Sequence, residues 1–378
     1  MVSKSESENE NSNKIKDLAI EQINYIIKKK YPELSLVLRG KNNISYNNKT
    51  RTIEIGDKRE VRTYRNLPQI KKYLQTMAVL NELKKNIEAG HTMSIRNLFY
   101  KLKYSLGDSI DEQMFDEQSE SNNIAVDAEL LLKTTREKLN LVTDPKGEVA
   151  GNIIIEDYIN KTDHYLIDIS KQGSSGWNTP SNVDSPKLNI KKVDADFIII
   201  VEKHAIWNSL NEMKFWEKHH CIIASGKGSP SRGFRRFINR LHTEYGLPVY
   251  ILVDGDPYGT QIALTYKYGS FNIAHINSYL AIPDAKYIGM MLTDISKYQF
   301  LSFLKEKKMY LAMKDVDIKK AKDLLEYEWV KTNPKLKAVI EEYLKTGHKI
   351  EADALGGRDA EDLGKYILEK IKNKDWIE

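Results

Sequence analysis

Between residues 197 and 267 three short aliphatic runs alternate with three segments of helical periodicity, and this alternation limits the possible folds more than any other feature of the chain. The runs cover 197–201, 221–224 and 248–253; the helical segments cover 205–216, 233–245 and 259–267. Continuous apolar runs of this length read as strands buried on both faces. Alternation with helices implies right-handed crossovers and a largely parallel sheet. Such a sheet offers its ligands the carboxyl ends of the strands.

Acidic residues stand where that rule places the chemistry. The first run ends in Glu202, followed by Lys203 and His204, and the third ends in Asp254-Gly255-Asp256-Pro257-Tyr258-Gly259. Residues two apart in an extended segment point to one side, so Asp254 and Asp256 are expected to converge with Glu202. Carboxylates gathered without His or Cys ligands select Mg²⁺, with Mn²⁺ as a substitute, rather than Zn²⁺. An Asp-x-Asp pair also occurs in phosphatases of the haloacid-dehalogenase type, which place Thr or Val after the second Asp; here Pro257-Tyr258-Gly259 follows.

A Glu closing the first strand and an Asp-x-Asp closing the third resemble the Toprim domain of topoisomerases, primases and some nucleases. Three strings narrow the resemblance: Val201-Glu202-Lys203, Gly226-Lys227-Gly228-Ser229-Pro230 with Arg235-Arg236-Phe237, and Asp254 to Gly259. With Lys349-Ile350-Glu351-Ala352-Asp353-Ala354-Leu355, they are similar to the family of DNA topoisomerase VI A subunits and meiotic double-strand-break proteins, over about residues 65–375. The Pro230-Ser231-Arg232-Gly233-x-Arg235-Arg236 form of the basic loop is closer to the topoisomerase branch.

The family carries its nucleophile in an Arg-x-x-(Tyr/Phe)-Tyr motif. Arg96-Asn97-Leu98-Phe99-Tyr100 matches it, so the resemblance implies Tyr100 as the nucleophile and Arg96 as its phosphate-holding partner. Four residues apart on a helix, the two share a face. With 21 tyrosines in the chain, composition alone would make Tyr100 a packing residue.

The glycine-rich loop 226–230 leads into a helix, an arrangement suited to phosphate. Lys203, Lys227, Arg235 and Arg236 are the expected DNA contacts; His204 reads either as a further contact or as a structural residue. The resemblance implies an α/β chain with an N-terminal winged-helix (CAP-like) domain over 66–175 and a C-terminal Toprim domain over 190–378. The helices before residue 139, followed by a glycine-turned hairpin near Gly147 and Gly151, fit the first of these. Residues 1–65 form an extension whose first part, through about Asn13, is polar and expected to be disordered. The Gly/Ser/Asn/Pro-rich stretch 170–186 reads as the linker.

The activity implied is that of the DNA-breakage subunit of an ATP-hydrolysing type II topoisomerase, making and resealing double-strand breaks through a tyrosyl-DNA bond. The partners implied are double-stranded DNA, a second copy of the chain, and an ATP-binding B subunit completing a heterotetramer. No phosphate-loop lysine motif is present, so ATP would enter through that partner only. The alternatives are a meiotic-type break-forming protein and a Toprim nuclease or primase that forms no tyrosine adduct. A net charge of +5 permits a nucleic-acid partner without demanding one. A lone cysteine, Cys221, and the lack of an apolar leader or membrane-length run point to a cytoplasmic protein without disulfides. Lys365, Lys370, Lys372 and Lys374 read as a solvated basic helix face.

Overall fold

Helical order begins earlier than the polar N-terminal composition suggests. In a computed structural model that describes residues 2–106, 113–159, 163–356 and 359–378, helix α1 spans Val2–Ile27. The polar stretch through Asn13, expected to be disordered, falls within this helix, Met1 lying outside the described residues. Asn11 and Ser12 are buried beside Ile15; Asn11 donates to the Lys138 carbonyl at 3.1 Å and Ser12 to Glu88 at 3.2 Å. Short polar side chains that find such partners need no apolar periodicity to be held.

The described chain forms two units. The first comprises Met1–Ser45, Glu54–Asp144 and Phe271–Ile276, the second Tyr46–Ile53, Pro145–Ser270 and Asn277–Glu378. In the first, α2 (Leu67–Ala89), α3 (Ile95–Leu102) and α4 (Gln118–Leu132) enclose a core that includes Val79, Leu80, Leu83, Leu98, Phe115 and Ala128. Gly90 stops α2 in the left-handed region, at φ 66°, with its N–H on the Asn86 and Ile87 carbonyls. The single helix expected over 123–139 is broken at Lys133, which is left-handed at φ 49°. A 3-10 turn, Arg136–Leu139, follows and keeps Leu139 in the core, with Arg136 N–H donating to the Glu129 carboxylate at 2.7 Å.

The second unit is built on a six-stranded sheet: β1 (Glu148–Ala150), β2 (Trp177–Asn178), β3 (Phe197–Val201), β4 (Cys221–Ser225), β5 (Val249–Leu252) and β6 (Lys286–Gly289). The strand order is β2-β1-β4-β3-β5-β6. β4, β3, β5 and β6 run parallel; at one side β1 pairs antiparallel with β4, and β2 pairs antiparallel with β1. Ile198, Ile199, Ile200 and Val201 are all buried, the consequence of covering both faces. The crossover between β3 and β4 is α5 (His204–Glu212) and α6 (Phe215–Lys218), not one helix, because Lys214 takes a left-handed conformation that turns Phe215 into the core. α7 (Arg232–Tyr245) and α8 (Pro257–Tyr268) complete the alternating region.

Three further expectations change. Glu148–Ala150, bracketed by Gly147 and Gly151, joins the main sheet while Ile153–Tyr158 pairs in a separate three-stranded sheet, so the glycines turn no hairpin between them. The stretch 170–186 is part of the second unit, whose boundary falls between Asp144 and Pro145. Trp177 pairs with Val149, Thr179 and Val183 are buried, and Arg240 donates to the carbonyls of Val183 and Leu188. Lys370 leaves the solvated face assigned to it: it is 0% exposed and bonds Asp294 and Asp375, both at 3.0 Å. Among the described residues no helix is long and apolar enough to cross a membrane.

Candidate active-site residues

In the first unit, α3 is a short amphipathic helix. Ser94 caps it by accepting the Asn97 N–H at 3.0 Å. Ile95, Leu98, Phe99 and Leu102 turn inward, which leaves Arg96, Asn97 and Tyr100 outward. Tyr100 is 64% exposed, its ring 5.2 Å from that of Phe99. Among the described residues no ion pair engages Arg96, and no hydrogen bond engages the Tyr100 hydroxyl. The doublet thus contains one buried anchor, Phe99, and one free phenol.

In the second unit, Glu202 follows β3 and Asp254 follows β5, so two neighbouring parallel strands deliver them to the same edge. Asp254 N–H donates to Glu202 Oε2 at 3.1 Å. Burial first, then repulsion from Asp254 and Asp256, pushes the Glu202 carboxyl up to about 7. Burial raises Asp254 as well. The next acid, Asp256, caps α8 by accepting the Gly259 N–H at 2.6 Å. The intervening Gly255 is needed for close approach: a Cβ there would lie 2.7 Å from Ile350 and 2.8 Å from the Met290 carbonyl. Gly255 exchanges backbone hydrogen bonds with Ile350, which fastens 350–353 against the edge.

That fastening brings in acids the sequence reading did not assign. Lys203 donates to Asp353 at 2.6 Å, Glu351 at 2.9 Å and Asp254 at 3.0 Å, while Asp254 Oδ1 accepts the Ala352 N–H at 2.8 Å. Burial works against the Lys203 charge, but the three carboxylates outweigh it and hold the ammonium firmly protonated. The segment 349–355 carries one of the family-like strings, and its two acids are the signal the sequence offers. As they stand, the acids form no closed ligand set. Among the described residues no group of three or more His, Cys, Asp or Glu side chains is arranged to hold an ion. What fits a divalent cation is the donor chemistry and the charge: oxygen donors only, and a carboxyl driven to about 7 by burial and its acidic neighbours.

The basic residues fall in different places. Lys227 and His204 both pair with the buried Glu148 of β1, another acid missed from sequence. Arg236 lies partly exposed on Asp184, with Asn239 at 3.0 Å. Arg235, expected as a DNA contact, is enclosed by the protein instead. It is 2% exposed, its Nε and Nη2 find no acceptor among the described residues, and burial draws it down to about 10. On the amphipathic α7 its position falls inward with Phe234 and Ile238. The loop itself braces Glu202, whose carbonyl accepts the Gly228 N–H at 2.9 Å and the Ser225 hydroxyl at 3.3 Å.

Comparison with known proteins covers both units. Residues 197–371 match the family model for the Toprim domain of the topoisomerase 6 A subunit and Spo11, and residues 71–141 match that described as type IIB DNA topoisomerase. The chain is 32% identical to the A subunit of type 2 DNA topoisomerase 6 from Aeropyrum pernix, over 94% of this chain and 92% of that protein. It is 33% identical to the Pyrococcus abyssi protein of the same name, over 95% and 93%. The A subunit of DNA topoisomerase 6 from Arabidopsis thaliana is 31% identical, over 86% of this chain and 71% of that protein.

Proposed function

The chain belongs to the family of topoisomerase 6 A subunits and Spo11, and from that premise we propose that it breaks and reseals duplex DNA as the cleaving subunit of a type IIB topoisomerase. Similarity along nearly the whole chain to proteins named as that subunit carries the reading. Tyr100 is the nucleophile: its hydroxyl oxygen bonds to a backbone phosphorus, and the displaced deoxyribose oxygen leaves as a hydroxyl. The phosphodiester bond energy is kept in the tyrosyl link, so the same hydroxyl can reverse the step. Arg96, on the same exposed face, neutralises non-bridging oxygens and orients the phosphate. The exposure of both side chains supports these roles, since a duplex can reach neither a buried phenol nor a paired guanidinium.

Glu202, Asp254 and Asp256 would hold Mg²⁺, or Mn²⁺ in its place, and the ion when bound supplies positive charge against the phosphate. Asp254 also accepts the Ala352 N–H, and the Asp256 cap fixes the start of α8, so backbone bonds restrict both carboxylates. Lys227, Arg236 and Lys203 remain the proposed basic contacts to DNA. We read the α2–α4 region as the winged-helix part and the second unit as the Toprim part. The working assembly is a homodimer joined by an ATP-binding B subunit into a heterotetramer, with ATP used by that partner alone.

The test is adduct trapping on supercoiled DNA with Mg²⁺, ATP and a candidate B subunit, comparing wild type with Tyr100→Phe. A covalent protein–DNA adduct in wild type that vanishes in the variant supports the reading. Cleavage that persists in the variant without an adduct would favour a hydrolytic Toprim nuclease instead.

A further inference from the structure

Five carboxylates gather at the edge of the main sheet around one ammonium. Glu202 and Asp254 are joined by the Asp254 N–H, and Asp256 adds to the repulsion felt by Glu202. Glu351 and Asp353 reach the same place through Lys203. Among the described residues no second cation forms an ion pair with any of the five, and the nearby Lys227 is taken by Glu148.

The three acceptors of Lys203 are not equivalent. Asp254 is buried, whereas the side chains of Glu351 and Asp353 are 52% and 39% exposed. A contact to the buried carboxylate is little screened and neutralises the acids that most repel each other; contacts to the exposed pair are screened by water. Both oxygens of Asp254 are engaged, Oδ1 by the Ala352 N–H and Oδ2 by Lys203. A divalent ion arriving at Oδ2 would stand against an ammonium already in contact with it. The lysine stem is flexible enough to relieve this by a small swing, because its other two partners lie on the solvent side.

We infer that Lys203 is a built-in placeholder cation: it neutralises Asp254 until a divalent ion binds, then withdraws onto Glu351 and Asp353, which serve as its parking site. The inference rests on the metal-binding reading given above and deepens it. Glu351 and Asp353 thereby become positioning residues that act through Lys203 rather than ligands. Metal affinity is set by a competition inside the chain, with the two exposed acids biasing it toward the ion.

Mn²⁺ alone, titrated into the full chain without DNA or ATP and followed by the loss of free-ion paramagnetic resonance, tests this. Lys203→Met is expected to bind Mn²⁺ about tenfold more tightly than wild type, a difference of roughly 1.4 kcal/mol. Glu351→Gln with Asp353→Asn is expected to weaken binding by about threefold when Lys203 is present, and to leave it unchanged in the Lys203→Met background. Unchanged or weaker binding by Lys203→Met overturns the inference. So does equal weakening in both backgrounds, which would make the exposed acids ligands. If Lys203→Met does not fold, the surface pair alone decides: no weakening from Glu351→Gln with Asp353→Asn overturns the placeholder. Asp254→Asn is the separate control. Wild-type Mn²⁺ binding in that variant would remove the metal site and the inference together, whereas loss there beside an unaltered Lys203→Met would remove the inference only.

Discussion

Helix α3 and the carboxyl edge of the main sheet carry the two halves of the proposed chemistry, and they differ in how much of their geometry is fixed before substrate arrives. On α3 the reactive side chains project into solvent, and only the buried face, Ile95, Leu98, Phe99 and Leu102, ties the helix down. At the sheet edge every acid is engaged: Glu202 by a backbone N–H, Asp254 by another and by Lys203, Asp256 by the first turn of α8. An exposed phenol costs the fold nothing and can wait for DNA to orient it. A cluster of carboxylates destabilises the fold unless the protein neutralises it in advance.

The sharpest way to break the comparison is Tyr100→Phe. Losing one exposed hydroxyl is expected to lower adduct formation by on the order of 10³-fold or more while leaving thermal stability within about 0.5 kcal/mol. A large drop in melting temperature would show that Tyr100 belongs to the fold after all. Asp254→Ala comes next, with cleavage reduced by on the order of 10²- to 10³-fold. Unlike the tyrosine change it should also alter stability, because it frees the Ala352 N–H and one Lys203 contact. Melting curves for the two variants, run side by side, measure the difference between the regions directly.

Lys370→Ala sharpens the contrast from another side, since Lys370 is a lysine held by carboxylates but sealed from solvent. Removing it takes the cation from the buried Asp294, while Asp375 keeps Lys297, and is expected to cost ~3–5 kcal/mol, read by denaturant unfolding, with cleavage per folded molecule unchanged.

The acid edge also predicts a pH dependence. Glu202 rises from an ordinary 4.5 to about 7, so between those values the folded chain binds more protons than the unfolded one. Metal-free stability should therefore be greatest at the acid end of that window and fall as pH rises through it, with Asp254 adding the same sign. Glu202→Gln should flatten this part of the melting-temperature profile; a slope that survives the substitution would assign it to other groups. The smallest effect belongs to Lys227→Ala. DNA affinity is expected to fall by about two- to fivefold with a shallower salt dependence, because that ammonium is already shared with Glu148.

The alternating runs and their terminal acids made the sheet, its parallel strands and the positions of Glu202, Asp254 and Asp256 legible in the sequence. Strand burial and strand ends are local properties of the chain, so one pass along it can find them. The four-residue spacing of Arg96 and Tyr100 likewise placed both on one helix face, but that this face is the exposed one and that Phe99 is buried came from the structure. What the sequence left undetermined depended on residues far apart in it. Glu351 and Asp353 reach Lys203 only because the backbone of Ile350 bridges to Gly255, and Glu148 becomes a counter-ion only because β1 pairs with β4. Arg235 and Lys370 look like surface cations in a list of charges, and the order of α1 near Asn11 was hidden by its polar composition. Periodicity records which face a segment turns inward, but the partner that makes a buried charge or amide tolerable is supplied by tertiary structure, where burial and neighbouring charge set its free energy.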